Sequence, residues 1–201
     1  MTELYFVRHA EPNCDNHDDA TRELTAKGLR DRALVTAFLA DKAITAVFSS
    51  PYKRAVDTVR DFAGRVSLPV QLDPDFRERC VDSVWIDDFE GFCRRQWADF
   101  DYKYTDGETL RTVQTRNLAA LRRVLQRCPE QNVAVGHHGT ALSTLIHYFD
   151  PSFGFEGFQS IRRLMPWVVH FGFDGLRCIE ITGYDLFTGR SHSYAPQTIT
   201  L

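Results

Sequence analysis

The apolar run Leu4-Tyr5-Phe6-Val7 passes without a spacer into Arg8, His9 and Glu11. Four apolar residues rich in β-formers and lacking alternation suit a strand covered on both faces, as in the centre of a parallel sheet. Arg8 and His9 then stand at the carboxyl end of that strand, where ligands of open α/β sheets bind. An arginine fork matches phosphate oxygens, and a neutral imidazole serves as base, metal ligand or nucleophile. An isolated Arg-His pair is more often a salt-bridged arginine beside a loop histidine, so the other strand ends must decide its role.

Those ends follow in order. Pro12 to Glu23 is rich in Asn and Asp and reads as a loop over the first strand end, placed to touch a ligand. Leu29, Ala33, Ala37 and Phe38 have helical spacing, with Thr25 as N-cap. Ile44 to Phe48 reads as a second strand, and Ser49-Ser50-Pro51 as a capping serine with proline at the first helical position. That places Arg54 in an exposed first helical turn, beside amide donors that favour an anion. Leu68 to Leu72 is a short third strand, followed after an Asp-Pro turn by Phe76-Arg77-Glu78-Arg79. Residues 81–104 mix Trp85, Phe89, Phe92, Trp97, Phe100 and Tyr102 with many charges and are expected to form a helical lid insertion. A long helix opens at Asp106-Gly107-Glu108-Thr109 and ends before Pro129. Asn132 to Val135 is a further strand running into Gly136-His137-His138-Gly139-Thr140. Val168–Phe173 and Leu176–Ile181 flank Asp174-Gly175 as a hairpin, in which His170 reads as structural or solvated.

At 201 residues the chain fits one α/β domain burying roughly 70% of its unfolded surface, so a single domain over 1–201 is expected. Lys and Arg number 24 against 27 for Asp and Glu, a net charge of −3. That balance argues against nucleic acid or an anionic membrane as partner, so affinity for phosphate has to be local. Cys14, Cys80, Cys93, Cys128 and Cys178 are odd in number and show no Cys-x-x-Cys pairing, which fits reduced thiols. Without a basic, long-cored leader or a membrane-length apolar run, a cytoplasmic location is the expectation.

Arg8 with His9, Arg54, Glu78, and His137 with His138 thus occupy four strand-to-helix junctions, and together they resemble the histidine phosphatase superfamily, also called phosphoglycerate mutase-like. Its Arg-His-Gly-Glu hallmark appears as Arg8-His9-Ala10-Glu11, and its Leu-Thr-x-x-Gly as Leu24-Thr25-Ala26-Lys27-Gly28. Ser49-Ser50-Pro51-Tyr52-Lys53-Arg54-Ala55-Val56-Asp57-Thr58 is similar to the longer and more specific Ser-Ser-Pro-x-x-Arg-Ala-x-x-Thr. Phe76-Arg77-Glu78 looks like the segment bearing the proton donor, and Gly107-Glu108-Thr109 like the Gly-Glu-Ser/Thr helix start. A phosphate-binding asparagine of the family would fall near Asp15, so either Asn13 or Asn16 substitutes for it or the contact is lost. Because the family places glycine directly after its second functional histidine, His138 is chosen over His137.

The resemblance implies a three-layer α/β/α fold with a mostly parallel central sheet and, here, a C-terminal hairpin. It also implies a phosphatase that hydrolyses a phosphate monoester through a phosphohistidine. His9 is then the nucleophile, Glu78 the proton donor, and Arg8, Arg54 and a protonated His138 hold the phosphoryl oxygens. Two rival readings are a phosphoglycerate mutase-type phosphotransferase and an inactive phosphate-binding or scaffolding module. No cofactor and no metal are expected. A metal site would draw on His9, His137, His138 and Asp15 or Cys14, but Arg8 and Arg54 would repel a cation. The expected substrate is a small phosphorylated metabolite or a phosphopeptide, and a homodimer stays open. The aromatics at Trp85, Trp97 and Tyr102 either contact a ring-bearing leaving group or pack the lid on the core.

Overall fold

A computed structural model describes all 201 residues. The opening run becomes β1, Thr2–Arg8, at the centre of a seven-stranded sheet. Two helices follow it on alternation with strands: α1, Ala26–Leu39; β2, Ala46–Ser49; α2, Lys53–Arg65; and β3, Val70–Leu72. A single 3-10 turn at Pro74–Phe76 leads toward α3, Phe89–Ala98, within the stretch expected to be helical. Then come α4, Leu110–Arg127; β4, Asn132–His137; α5, Gly139–Phe149; and α6, Phe155–Ile161. The chain finishes with β5, Trp167–Asp174; β6, Arg177–Tyr184; and β7, Ser191–Tyr194.

The strand order is β3-β2-β4-β1-β5-β6-β7. β3, β2, β4 and β1 run parallel, whereas β5 pairs antiparallel with β1 and continues antiparallel through β6 and β7. The sheet is therefore mixed, with half its ladders antiparallel rather than most of them parallel. The expected hairpin is β5–β6, and the register pairs Asp174 with Arg177, so the tight turn is Gly175-Leu176, one residue later than expected. Gly175 sits at φ +61, a conformation a two-residue hairpin turn demands.

Helices cover both faces. Val7, Val47, Ala134 and Val168 pack under Val35 and Leu39 of α1 and Val59 and Phe62 of α2. On the other face Leu4, Phe6, Phe48, Val133, Val135 and Phe171 meet α3 to α6 in a larger core of 30 buried residues. Burying each large apolar side chain contributes roughly 1.5–3 kcal/mol, and the Leu4, Phe6 and Val7 side chains of β1 are wholly buried between the two layers. The helix starts follow their caps: Thr25 accepts from the Gly28 amide, and Thr109 from Thr112. α2 departs from expectation, because it begins at Lys53 behind Tyr52 and Ser50 caps nothing in it.

Candidate active site

The parallel part of the sheet aligns its strand ends, with Arg8 opposite His137 and Ser49 opposite Gly136. Each chain segment leaving those ends therefore delivers its polar residues to one edge. From β1, His9 lies almost fully buried, and its ring stands 5.3 Å from that of His138, which leaves β4. His9 Nδ1 lies 2.8 Å from the Ala10 carbonyl oxygen, an atom that only accepts. The Nδ1 proton is thereby fixed, and the lone pair of the neutral ring is on Nε2. Burial, reinforced by the charges of Arg54 and Arg8, holds His9 well below the ordinary imidazole value. The ring is neutral and its free nitrogen is a nucleophile without needing a base to deprotonate it.

His138 is fully buried. Its Nε2 lies 2.7 Å from Ser50 Oγ, a hydroxyl that accepts the Tyr52 amide and is able to donate to a neutral ring or to accept from a protonated one. A neutral His138 then carries its proton on Nδ1, a buried atom with no partner in the protein. Burial, followed by Arg54 and His9, pushes this histidine well below its usual value. In the unliganded site it is neutral, and the protonated form expected to hold phosphoryl oxygens belongs to the anion-bound state. His137 lies on the opposite side of β4. It bonds Asn117 Oδ1 at 2.8 Å and packs edge-on against Phe6 and Phe76, and burial lowers it to about 4.

Arg8 does not lie free. Nη1 donates to the carbonyls of Ile161 (2.7 Å) and Leu164 (3.2 Å), and Nη2 to that of Arg162 (3.1 Å), which satisfies the carbonyl end of α6. Its Nε remains buried without a partner. Burial brings this guanidinium down to about 10. Gly139 makes room for it, since a Cβ there would sit 2.9 Å from the guanidinium carbon. Arg54 is only 3% exposed, unlike the exposed first-turn arginine expected. The Pro12–Glu23 loop covers it: Nη1 donates to the Asp19 carbonyl at 2.6 Å and Nη2 pairs with the Asp19 carboxylate at 3.2 Å. Burial lowers Arg54, and Asp19 and Glu78 partly restore it.

Glu78 is held by three amides. Oε1 accepts from Ala141 and Arg79, and Oε2 from Thr140, all at 2.8–2.9 Å. Thr140 and Ala141 belong to the first turn of α5, so the carboxylate rests on the positive end of that helix. Its charge reaches both Arg8 and Arg54, which ties it to the cluster.

Asn13 and Asn16 direct their amide groups to Glu23, at 2.6 and 2.9 Å, which pulls Glu23 down to about 2. Asn13 and Asn16 order the loop and make no contact with the cluster. Ser50 and Thr58 were not singled out by chemistry, although both fall inside the Ser-Ser-Pro pattern. Thr58 Oγ1 accepts the Ala10 amide at 3.0 Å and thereby steadies the turn that carries His9. Arg22, bonded to Asn16 O and paired with Asp19, adds positive charge near His9. No three His, Cys, Asp or Glu side chains are gathered to hold a metal ion, and all five cysteines are free thiols. A groove lined by Ile161, Leu164, Trp167 and Tyr194 includes none of the cluster.

Two of the three buried polar atoms that lack a partner, Arg8 Nε and His138 Nδ1, lie in this one cluster. Unsatisfied buried donors are costly, so a site that keeps two of them is built for an acceptor from outside. With a neutral histidine lone pair beside them, the arrangement suits in-line attack on a bound oxyanion.

Comparison with known proteins defines the class. A sequence profile of the histidine phosphatase superfamily (branch 1) matches residues 4–164, and the chain belongs to that superfamily. Among curated relatives it is 30% identical to the probable phosphoglycerate mutase GpmB of an Enterobacter species, over 73% of this chain and 74% of that one. It is 28% identical to the uncharacterized phosphatase PhoE of Bacillus subtilis, over 73% and 76%. Its fold matches that of Bacillus stearothermophilus YhfR with a TM-score of 0.70 at 22% identity, covering 98% and 96% of the two chains. It also matches a phosphoserine phosphatase mutant of Entamoeba histolytica in complex with phosphoserine, with a TM-score of 0.70 at 16% identity over 98% and 96%. No helix is long and apolar enough to cross a membrane.

Proposed function

We propose that this chain, acting as a single domain over residues 1–201, is a phosphatase that hydrolyses a phosphate monoester through a phosphohistidine on His9. The observation that carries the reading is the His9 ring, pinned through Nδ1 to the Ala10 carbonyl with Nε2 free beside Arg8, Arg54 and His138. The cycle starts with Glu78 protonated on Oε2, the oxygen that accepts only the Thr140 amide. His9 Nε2 forms a bond to phosphorus as the ester P–O bond breaks, and the Oε2 proton passes to the departing alkoxide, leaving the carboxylate. Water then attacks the phosphohistidine, gives its proton to Glu78, and releases inorganic phosphate with His9 regenerated. The phosphate dianion favours a proton on His138, which is neutral before it arrives. Arg8 would reach the phosphoryl group through Nε, which has no partner in the protein, and through the Nη2 hydrogen not given to Arg162, while the phosphate competes with Asp19 for Arg54. Each charge-assisted hydrogen bond made in this way contributes about 1.5–3 kcal/mol. Residues 81–104 form a lid over the leaving-group side, and a small phosphorylated metabolite or a phosphopeptide is the substrate.

The direct test is rapid quenching with a radiolabelled monoester under alkaline conditions that preserve phosphohistidine. Wild type should retain acid-labile label mapping to His9, and His9→Ala should neither label nor turn over nitrophenyl phosphate. Equal hydrolysis by the two proteins would reject the assignment. The likeness to a protein named as a phosphoglycerate mutase supports a second reading, phosphoryl return to the substrate. That reading requires little net phosphate release and dependence on a bisphosphate primer, which the same assay distinguishes.

A further inference from the structure

Nothing in a β-ladder holds the segment that carries Glu78. After the 3-10 turn at Pro74–Phe76 the chain from Arg77 to Ser83 belongs to no helix or strand. A general acid needs placement within a few tenths of an ångström, so something else must fix that backbone. Arg116, on α4, does so. Its Nη1 donates to the carbonyls of Asp75 (2.8 Å) and Arg77 (2.6 Å), and its Nη2 to that of Glu78 itself (3.1 Å). The remaining face of the guanidinium is clamped by Glu108, with Nε to Oε1 at 2.9 Å and Nη2 to Oε2 at 2.8 Å. Glu108 completes the frame by accepting the Cys80 amide at 3.0 Å and donating its own amide to the Cys80 carbonyl at 2.9 Å.

The backbone on both sides of Glu78 is thus bonded to one buried ion pair, Arg116 at 9% side-chain exposure and Glu108 at 14%. Neither residue touches the Glu78 carboxylate, whose oxygens are met by the amides of Thr140, Ala141 and Arg79. We infer that Arg116 and Glu108 are positioning residues for the proton donor: they suspend the Glu78 backbone from α4 so that its carboxylate meets the amino end of α5 and faces the leaving group. The inference rests on the proposed role of Glu78 as general acid. Only an arginine can fill the place, because five acceptor oxygens lie around one planar fork and a lysine ammonium cannot bridge them all.

A purely structural strut and a positioning strut differ in what their loss does to substrates of different leaving group. Loss of a well-placed acid penalises poor leaving groups and spares good ones. The experiment measures kcat/KM, which reports through the first P–O cleavage, for aryl phosphates from dinitrophenyl to phenyl in Arg116→Lys, Glu108→Gln and Glu78→Gln. In Arg116→Lys the value for phenyl phosphate should fall about 10- to 100-fold, with less than about threefold change for dinitrophenyl phosphate. Adding Arg116→Lys to Glu78→Gln should then cost less than about threefold more, because the acid it positions is already gone. A loss equal for all leaving groups, in a protein whose Glu78→Gln variant does show leaving-group dependence, overturns the inference and leaves the acid intact. A Glu78→Gln variant without that dependence overturns both. Should Arg116→Lys fail to fold, Glu108→Gln, which keeps the shape of the pair, carries the same expectation.

Discussion

Ser50 shows how one hydroxyl sets the chemistry of a neighbour. It accepts the Tyr52 amide and bonds His138 Nε2, and when its hydrogen goes to a neutral ring the ring proton stands on the unpartnered Nδ1. A histidine free to rotate or to exchange tautomers would present a lone pair where a phosphoryl oxygen needs a donor. Ser50→Ala removes two hydrogen bonds, of which the one to His138, worth about 1 kcal/mol, bears on the site, so kcat/KM should fall about 5- to 10-fold and inorganic phosphate should inhibit correspondingly less. The melting temperature should also fall, by about 2–4 °C for each kcal/mol lost, because buried Ser50 leaves the Tyr52 amide and His138 Nε2 without a partner. Unaltered kinetics in Ser50→Ala would show that the ring is oriented by its packing against His9 and Tyr52 instead.

At the scale of elements, the join between the β1 loop and α1 is where sequence pattern and geometry agree most closely. Thr25 caps α1, donates its hydroxyl to Glu11 Oε1 at 2.8 Å, and donates its amide to the Glu11 carbonyl oxygen. Glu11 therefore orders the turn after His9 and has no chemical step. Gly28 lies so close that a Cβ would stand 2.3 Å from the Glu11 carbonyl oxygen, an atom of backbone that cannot swing away. Gly28→Ala should cost about 1–3 kcal/mol, read as a lowered denaturation midpoint with an unchanged m-value. An alanine variant as stable as wild type would mean that the loop shifts at no cost. The cap at Thr25 was legible because the donor it accepts from, the Gly28 amide, is local, three residues away. The start of α2 was not, because His138, 88 positions along the chain, recruits the serine that the local pattern assigned to a cap. The burial of Arg54 escaped notice for a similar reason, since an irregular loop held by Asp19 covers it. Arg116 left no motif because most of its partners are backbone carbonyls, which any sequence supplies. β7 reads Ser191-His192-Ser193-Tyr194 and becomes a strand only because β6 offers it an edge.

Over the whole molecule, the cost of this site appears as a dependence of stability on pH. His9, His137 and His138 are all at least nine-tenths buried and all depressed, chiefly by burial, with Arg54 adding to the effect on His9 and His138. Released by unfolding, each returns to an imidazole value of about 6.5. Below that pH the unfolded chain binds protons that the native chain refuses, so stability rises with pH through this window and is fully present only above it. As pH falls from about 6.5, each such histidine removes about 1.4 kcal/mol per unit until its folded value is reached. For His137, lowered to about 4, the total is roughly 3 kcal/mol. Carboxylates held low, such as Glu23 at about 2, give up their contribution only at more acidic pH, so the histidines govern the interval from about 6.5 to 4. Melting temperatures measured at pH 7.5, 6 and 5 should therefore drop progressively, and the drop should be reversible on returning to neutral pH. His137→Gln can still donate to Asn117 yet takes up no proton, so it should flatten the acid limb without altering the position of His9. A melting temperature constant from pH 7.5 to 5, or an acid limb equally steep in His137→Gln, would show that these rings accept protons inside the folded protein.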